Sequence, residues 1–318
     1  MGTSGSVAGR SGRTLVLEKK TLEDLDCAAA DGAHERVFAG LLGRDIQLSR
    51  SPQMHEDEAA AQGIRLEYKL FDFAVLGMAE PDLRAFIEEL QLLGYAGINV
   101  THPFKQAVIP LLDELSEGAR QVGAVNTVAF RDGKRLGFNT DVTGFAESFR
   151  RGLPEAHTHV VFQAGAGGAG AATAYAMLKL GADTILVHDP DEKRSERLCE
   201  TLRRSFGHGR ARVADDLAAA AAEADGIVNA SPVGMAEHPG MPIQAEFLRP
   251  RHWVADIVYF PLNTSLLRHA RQIGCAVLDG GGMAVYQAAG AFEIFTGRQA
   301  DADRMRARFL LRADTMRD

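Results

Sequence analysis

The sequence predicts a two-domain α/β protein, and three observations predict it. Its 318 residues exceed what a single hydrophobic core usually organises. Short apolar runs alternate with segments of helical periodicity in two successive series, the rhythm of β-α-β units. In the second series one such run, His159 to Gln163, feeds directly into the glycine-rich stretch that starts at Gly165.

The first series opens with Val37 to Leu42, an apolar run bounded by Gly43 that reads as a buried strand. A helix is expected after Pro52, a strand from Arg65 to Phe71, a helix from Pro81 to Leu92 and a strand from Gly97 to Val100. Asn126 to Phe130 and Arg135 to Phe138 flank Asp132-Gly133, a dipeptide suited to a tight antiparallel hairpin. The second series runs from a helix at Asp141 to Arg151 into the strand at His159. It continues with helix 168 to 180, strand Thr184 to His188 and helix 190 to 204, then strands Gly226 to Asn229, Trp253 to Val258 and Cys275 to Leu278. A doubly wound, Rossmann-type dinucleotide-binding domain is the natural closure of that series. Two helices remain, Met283 to Thr296 and Asp301 to Arg312, with no strand after them, so at least the first is expected to return to the N-terminal domain.

Composition narrows the function classes. With 46% hydrophobic and 24% charged residues and no stretch of eighteen apolar residues, neither a membrane span nor a disordered chain is indicated. A net charge of -7 without a long Lys/Arg run argues against a grip on nucleic acid and for a small-molecule partner. Cys27, Cys199 and Cys275 are odd in number and lack C-x-x-C spacing, so no disulfide framework or metal site is indicated and a reducing cytoplasm is expected. Residues 1–35 read as a poorly ordered leader without the apolar core of a signal peptide. His55, beside Glu56, Asp57 and Glu58, lacks the spacing of a two-histidine metal helix and reads as part of a capped, solvated helix.

Gly165-Ala166-Gly167-Gly168-Ala169-Gly170 satisfies G-x-G-x-x-G between a strand and a helix. There the backbone approaches a pyrophosphate and aims N–H groups at it from a helix N-terminus. Asp189 ends the next strand, where a carboxylate accepts hydrogen bonds from ribose hydroxyls and repels the 2'-phosphate of NADP. Lys193 and Arg194 follow closely, and either would neutralise such a phosphate if the loop folds back. NAD is the expected cofactor, with NADP second.

Polar residues cluster at the C-terminal ends of the expected strands, where open α/β sheets place ligands. Ser49 and Ser51 supply hydroxyls, Asn99 and Thr101 an amide and a hydroxyl, and Lys105, Asn126 and Asp141 follow. The set offers donors for a carboxylate, partners for hydroxyls and an ionisable pair, which suits a polyhydroxylated acid. Oxidation of its secondary alcohol needs a base within reach of the O–H as hydride leaves the carbon; Lys105 and Asp141 are both candidates.

These residues resemble a known family. Ser49-Arg50-Ser51-Pro52-Gln53-Met54-His55, Gly97 to Lys105, Gly123 to Thr127 and Gly137 to Asp141 resemble shikimate dehydrogenase signatures. So do Asn229 to Met235, Asp256 to Tyr259 and Gly280 to Gln287, in that order. The resemblance implies Lys105 and Asp141 as the catalytic pair, and Ser49, Ser51, Asn99, Thr101, Asn126, Tyr259 and Gln287 as substrate contacts. It adds Ala230, Ser231, Pro232, Ile257 and Gly280 to the glycine-rich stretch, Asp189 and Arg194 as cofactor-binding residues. It also implies that the helix carrying Gln287 packs on an N-terminal α/β substrate domain of residues 36–140 plus 282–318, leaving 141–281 to the dinucleotide. His188-Asp189-Pro190-Asp191 resembles the NAD-using quinate/shikimate branch, whereas NADP members carry an Asn-Arg-Thr-like run there; Ser51 stands where that branch can have Thr. The expected reaction is shikimate to 3-dehydroshikimate with NAD, with quinate as a second candidate and a monomer or homodimer as the assembly. Rival expectations are an NADP-dependent biosynthetic enzyme, a dehydrogenase for another substrate, and a non-catalytic dinucleotide-responsive regulator on the same fold.

Overall fold

The structure is a computed structural model that describes residues 36–314; the expected leader and Cys27 lie outside the described residues. The first series folds as β1 (Arg36–Gly43), α1 (Ser51–Ala61), β2 (Arg65–Asp72), α2 (Leu83–Leu92), β3 (Gly97–Val100), β4 (Glu114–Leu115), α3 (Glu117–Val122), β5 (Thr127–Arg131) and β6 (Lys134–Phe138). Its strands form a six-stranded sheet in the order β2-β1-β3-β5-β6-β4. β1 pairs in parallel with β2 and β3, while β5 pairs antiparallel with both β3 and β6. The hairpin turn at Asp132 and Gly133 has φ of 50° and 76°, the double left-handed conformation that matches strand twist and favours Asp-Gly. Helix α2 buries Leu83, Phe86, Ile87 and Leu90, one stripe at helical spacing.

The second series begins with α4 (Thr140–Gly152), whose N-terminus is capped by the Asn139 side chain accepting from Val142 N. There follow β7 (Val160–Ala164), α5 (Gly168–Lys179), β8 (Thr184–His188), α6 (Glu192–Phe206), β9 (Ala211–Val213), α7 (Leu217–Glu223), β10 (Gly226–Asn229), β11 (Trp253–Asp256), α8 (Ser265–Gln272) and β12 (Ala276–Leu278). The second sheet is six-stranded, order β12-β11-β10-β7-β8-β9, and its pairings are parallel. Numbered from β7, that is the doubly wound order 6-5-4-1-2-3 with its switch point between β7 and β10. The protein is therefore a two-domain α/β fold.

Two helices close the chain, α9 (Gly280–Thr296) and α10 (Ala302–Asp314). Helix α9 is apolar on nearly every side, the pattern of a buried helix. Its Ala291 and Phe295 pack with Ala39, Leu41 and Tyr68 of the first sheet, and its Val285 and Ala288 with Met54, Met305 and Phe309. The helix carrying Gln287 thus packs on the N-terminal sheet. It also lies close against α4: a Cβ added at Gly144 would come within 2.7 Å of Gln287 N.

Several details differ from expectation. Helix α6 starts at Glu192 rather than 190 because the Asp191 side chain caps it by accepting from Lys193 N. Strand β11 stops at Asp256 rather than Val258 because Asp256 Oδ1 accepts from Val258 N and turns the chain. Strands β4 and β9 have two and three residues, too short for a period to be read. The solvated reading of His55 and Glu58 is overturned, since both are buried. Helix α10 covers that face, and Arg304 donates to both Glu58 oxygens at 2.8 and 2.7 Å. Burial pushes the Glu58 pKa up, but the hydrogen bonds from Arg304, Asp301 N and Gln62 outweigh it and hold the carboxyl below its usual range. Among the described residues no helix is long and apolar enough to cross a membrane, no cluster of His, Cys, Asp or Glu is arranged to hold a metal, and Cys199 and Cys275 are free and buried.

Candidate functional site

Strand β3 and helix α4 bring the two ionisable candidates together. Lys105 follows β3, Asp141 lies in the first turn of α4, and Lys105 Nζ donates to Asp141 Oδ2 at 2.6 Å. Their side chains are 18% and 8% exposed, so the pair lies at the edge of a cleft, reachable yet mostly shielded from water. Asn126, between β3 and β5, orients the carboxylate: its Nδ2 donates to Asp141 Oδ1 at 2.9 Å and to Thr140 Oγ1 at 2.9 Å. Its Oδ1 accepts from Thr140 N and from the Thr127 hydroxyl, at 2.7 and 3.1 Å.

The hydroxyl candidates extend the same network. Asn99 Nδ2 donates to Thr127 Oγ1 at 2.9 Å and to Asn126 O at 3.2 Å, while Asn99 Oδ1 accepts from the Tyr68 hydroxyl at 2.7 Å. Ser49 and Ser51, at the N-terminus of α1, share a hydrogen bond of 3.1 Å. A cavity of about 340 Å³ opens beside Ser49, lined also by Arg50, Phe260 and Phe309. A larger one of about 850 Å³ lies between α4, α5 and α9 and contains none of the expected site residues. Thr101 anchors its strand end through its backbone N–H, which donates to Leu42 O.

Two expected substrate contacts come from the second half. Tyr259 stands three residues beyond β11, one strand in from the sheet edge, and is 43% exposed. Desolvation first and then the Asp141 carboxylate raise its phenol pKa, with Arg50 opposing. Gln287 on α9 donates its side-chain amide to Ala284 O one turn back, at 3.0 Å.

The glycine-rich stretch joins β7 to α5. Gly165 has φ of 103°, and a Cβ there would lie 2.6 Å from Ala230 C and O and 2.7 Å from Ser231 N. A Cβ at Gly170 would lie 2.3 Å from Gly165 O. Those two glycines let the loop fold against β10's exit and onto its own helix. Gly167, exposed at the helix cap, would meet nothing within 4 Å. A Cβ at Gly168 would sit 3.3 Å from Lys105 Cδ, so the N-terminus of α5 adjoins the ionisable pair; Ala169 continues that first turn. The Asp189 carboxylate accepts from Ala166 N at 2.9 Å and from Asp191 N at 3.0 Å. Arg194 instead pairs with Asp191 at 3.4 Å on an exposed surface.

The remaining cofactor candidates gather around Asp256. Asn229 Nδ2 donates to Asp256 Oδ1 at 2.9 Å, and Ser231 donates its hydroxyl to Asn229 Oδ1 at 2.7 Å. Thr264 Oγ1 donates to Asp256 Oδ2 at 2.7 Å, and Pro232 O accepts from Met235 N. A Cβ at Gly280 would fall 2.4 Å from Ile257 O, which fixes the start of α9 against that loop. Burial pushes the Asp256 pKa up from 3.8 to about 6, more than its three donors lower it. A folded-state pKa above the unfolded value means the protonated form favours folding. This contribution is complete below about pH 3.8 and lost as pH rises through about 6. At 1.36 kcal/mol per unit it is about 3 kcal/mol. Denaturant unfolding at pH 4 and pH 7 should show the wild type losing about that much relative to Asp256→Asn; parallel pH profiles would refute the assignment.

Sequence reasoning missed Tyr68, Thr127 and Thr140 as members of the network. Thr127 and Thr140 lie inside the family-like motifs, where sequence alone gives them no role, and Tyr68 reads only as an alternating strand residue.

The site can be compared with known proteins. Residues 41–128 match the family model described as shikimate dehydrogenase substrate binding domain, and residues 280–308 match that of the shikimate 5'-dehydrogenase C-terminal domain. The shikimate dehydrogenase (NADP(+)) of Streptomyces avermitilis is 53% identical over 275 residues, 86% of this chain and 94% of the relative. The quinate/shikimate dehydrogenase (NAD(+)) of Corynebacterium efficiens is 45% identical over 280 residues, 87% of this chain and 99% of the relative. The structure of quinate dehydrogenase from Corynebacterium glutamicum in complex with NAD superposes with a TM-score of 0.82 at 43% identity, covering 87% of this chain and all of that one. With two sheets in this order, a glycine cradle against a half-buried Lys–Asp pair, and relatives matched nearly end to end, the chain belongs to the shikimate dehydrogenase family of oxidoreductases.

Proposed function

We propose that the chain interconverts shikimate and 3-dehydroshikimate with NAD, with quinate as a second substrate. In this reading residues 36–140 with 282–318 take the acid and 141–281 take the dinucleotide. The observation that carries it is the Lys105–Asp141 pair, 2.6 Å apart, with Lys105 Cδ 3.3 Å from a Cβ position on the first residue of the cofactor helix. Proton-transfer groups and a pyrophosphate cradle adjoin, as hydride chemistry requires.

The residues fit a dinucleotide. Gly165 and Gly170 shape a loop that side chains would fill, Gly167 leaves its outer face open, and α5 presents its N-terminus there. When bound, the nicotinamide accepts the hydride leaving the substrate's carbinol carbon. As that C–H bond breaks with its electron pair, the O–H proton passes to the Lys105–Asp141 pair and the carbon becomes a carbonyl. Asn126 holds Asp141 in one orientation, and Ser49, Ser51, Asn99, Thr101, Tyr259 and Gln287 fix the ring by its carboxylate and other hydroxyls.

Cofactor choice rests on Asp189. Its carboxylate ends β8 and is held against the loop through Ala166 N, where it accepts ribose hydroxyl hydrogens and repels a 2'-phosphate. The second reading, NADP, is favoured by the NADP-named relative at 53% identity. Against it, Arg194 is engaged by Asp191. Following reduced-cofactor absorbance while crossing shikimate and quinate with NAD and NADP tests both readings. A higher kcat/KM for NAD is expected, narrowed about 10-fold or more by Asp189→Ala, the loss of one to two good hydrogen bonds. A wild-type preference for NADP refutes the Asp189 argument, and no turnover of either acid refutes the function.

A further inference from the structure

Tyr68 on β2 is buried, at 4% exposure, and packs face to face with His55 of α1, ring centroids 4.5 Å apart and planes 13° from parallel. Neither ring nitrogen of His55 has a protein hydrogen-bond partner, and burial lowers its pKa to about 3, so it is a neutral, flat wall. Tyr68 thereby has its ring fixed by packing and its hydroxyl aimed at polar neighbours. Burial raises the phenol pKa well above 10, so the hydroxyl keeps its proton.

The direction of the bond from that hydroxyl to Asn99 is determined. The backbone carbonyl of Asn126 can only accept, so the Asn99 atom facing it is the amide nitrogen, and the amide oxygen faces Tyr68. Tyr68 therefore donates to Asn99 Oδ1, and the Ser51 side chain on its other side opposes the rise of its pKa. Ser49 donates to Ser51 Oγ in turn. On the other side Asn99 donates to Thr127, Thr127 to Asn126, and Asn126 to Asp141, which also takes the Lys105 hydrogen bond. From Tyr68 to the Asp141 carboxylate every donor points the same way, and the Ser49–Ser51 pair lies beside its start. Such chains polarise one another and hold their members more firmly than isolated pairs do. Tyr68 stands between Ser51 of α1 and Asn99 of β3, so removing its oxygen takes the donor from Asn99 and a polar neighbour from Ser51. Asn99 also spends both amide hydrogens within the protein, leaving only its carbonyl oxygen to meet a ligand hydroxyl.

We propose that Tyr68 is a positioning residue for substrate: its hydroxyl sets the orientation of Ser51 and Asn99, and so aligns the acid-binding serines with the Lys105–Asp141 pair. The inference rests on the proposed activity toward a hydroxylated ring acid. The test is Tyr68→Phe, which keeps the ring stacked on His55, measured with shikimate and NAD alongside wild type, Ser49→Ala and the double variant. The expected result is a rise of about 10- to 100-fold in the KM for shikimate, the range for a lost hydrogen bond that leaves buried neighbours unpaired. The KM for NAD should stay near wild type, and the Tm should fall by a few degrees at most, since Asn99 Oδ1 loses its donor in the free enzyme too. Tyr68→Phe and Ser49→Ala should also be non-additive in kcat/KM, because both remove a neighbour of the Ser51 hydroxyl. An unchanged shikimate KM, or full additivity, overturns the proposal, and a lowered Tm alone would show a purely structural tyrosine. A wild-type enzyme inactive on both shikimate and quinate would overturn the proposed function and this inference together.

Discussion

Lys105→Ala should cost about 10²- to 10⁴-fold in turnover with shikimate, with a much smaller change in KM, because a positioned proton-transfer group acts mainly in the transition state. The structure isolates this effect from folding. Lys105 donates its side-chain hydrogen bond to Asp141, whereas the carboxylate keeps its bond from Asn126 when the ammonium is gone. Thermal unfolding should therefore stay close to wild type while turnover collapses. The KM for NAD should also hold, since Lys105 approaches the cofactor loop only through its aliphatic stem, at Gly168. Near-wild-type turnover in the alanine variant would remove Lys105 from the mechanism and leave Asp141 as the candidate base. A variant that unfolds several degrees lower would instead show that the pair is mainly structural.

The fold was readable wherever residues carry a periodic or conformational constraint. The alternation of apolar runs located ten of the strands to within a few residues, and Asp132-Gly133 marked its hairpin because few other residues tolerate φ of 50° and 76° in succession. The two and three residues of β4 and β9 hold no period, and only their neighbours' pairing creates them. Asp256 ends β11 through a side-chain bond to Val258 N that no local pattern reveals. His55 and Glu58 were misread for a related reason. Glu58 is covered by α10 returning from nearly 250 positions away in sequence, and His55 by Tyr68 and by Phe292 and Phe295 of α9, while the local run of acids reads as a solvated face.

The site divides in the same way. Groups that must be of one chemical type at one spacing, such as the glycines of the loop, Lys105 and Asp141, are visible as letters. Groups whose part depends on who their neighbours are remain hidden. Tyr68 alternates with polar residues like any half-buried strand position, and only the arrival of Asn99 from β3 and Ser51 from α1 gives its hydroxyl a role. Arg194 is a matter of neighbours too: its charge suits a phosphate partner, and the cap that starts α6 sets it beside Asp191 on the surface.

Glycines 165 and 167 offer a way to separate what the loop needs for folding from what it needs for its ligand. Gly165→Ala should weaken NAD binding about 30- to 150-fold and lower the Tm together. The residue sits at φ of 103°, and its new Cβ would lie 2.6 Å from the Ala230 carbonyl, inside van der Waals contact with a backbone that cannot swing away. Left-handed strain alone costs about 1–3 kcal/mol, and 2–3 kcal/mol corresponds to that loss of affinity. Gly167 is a different case. Its φ of -76° suits any residue, it is exposed, and a Cβ there would touch no protein atom within 4 Å. Folding gives no reason for glycine at that position; close approach of a pyrophosphate to the N-terminus of α5 does. Gly167→Ala should therefore leave the Tm unchanged and still raise the NAD dissociation constant, about 10-fold or more by the same conversion from roughly 1.4 kcal/mol. Titration calorimetry with NAD and thermal unfolding on both variants read the two effects separately. If Gly167→Ala binds NAD as tightly as the wild type, the dinucleotide does not lie against that face of the loop, and the cradle assignment is wrong even where the Gly165 result agrees.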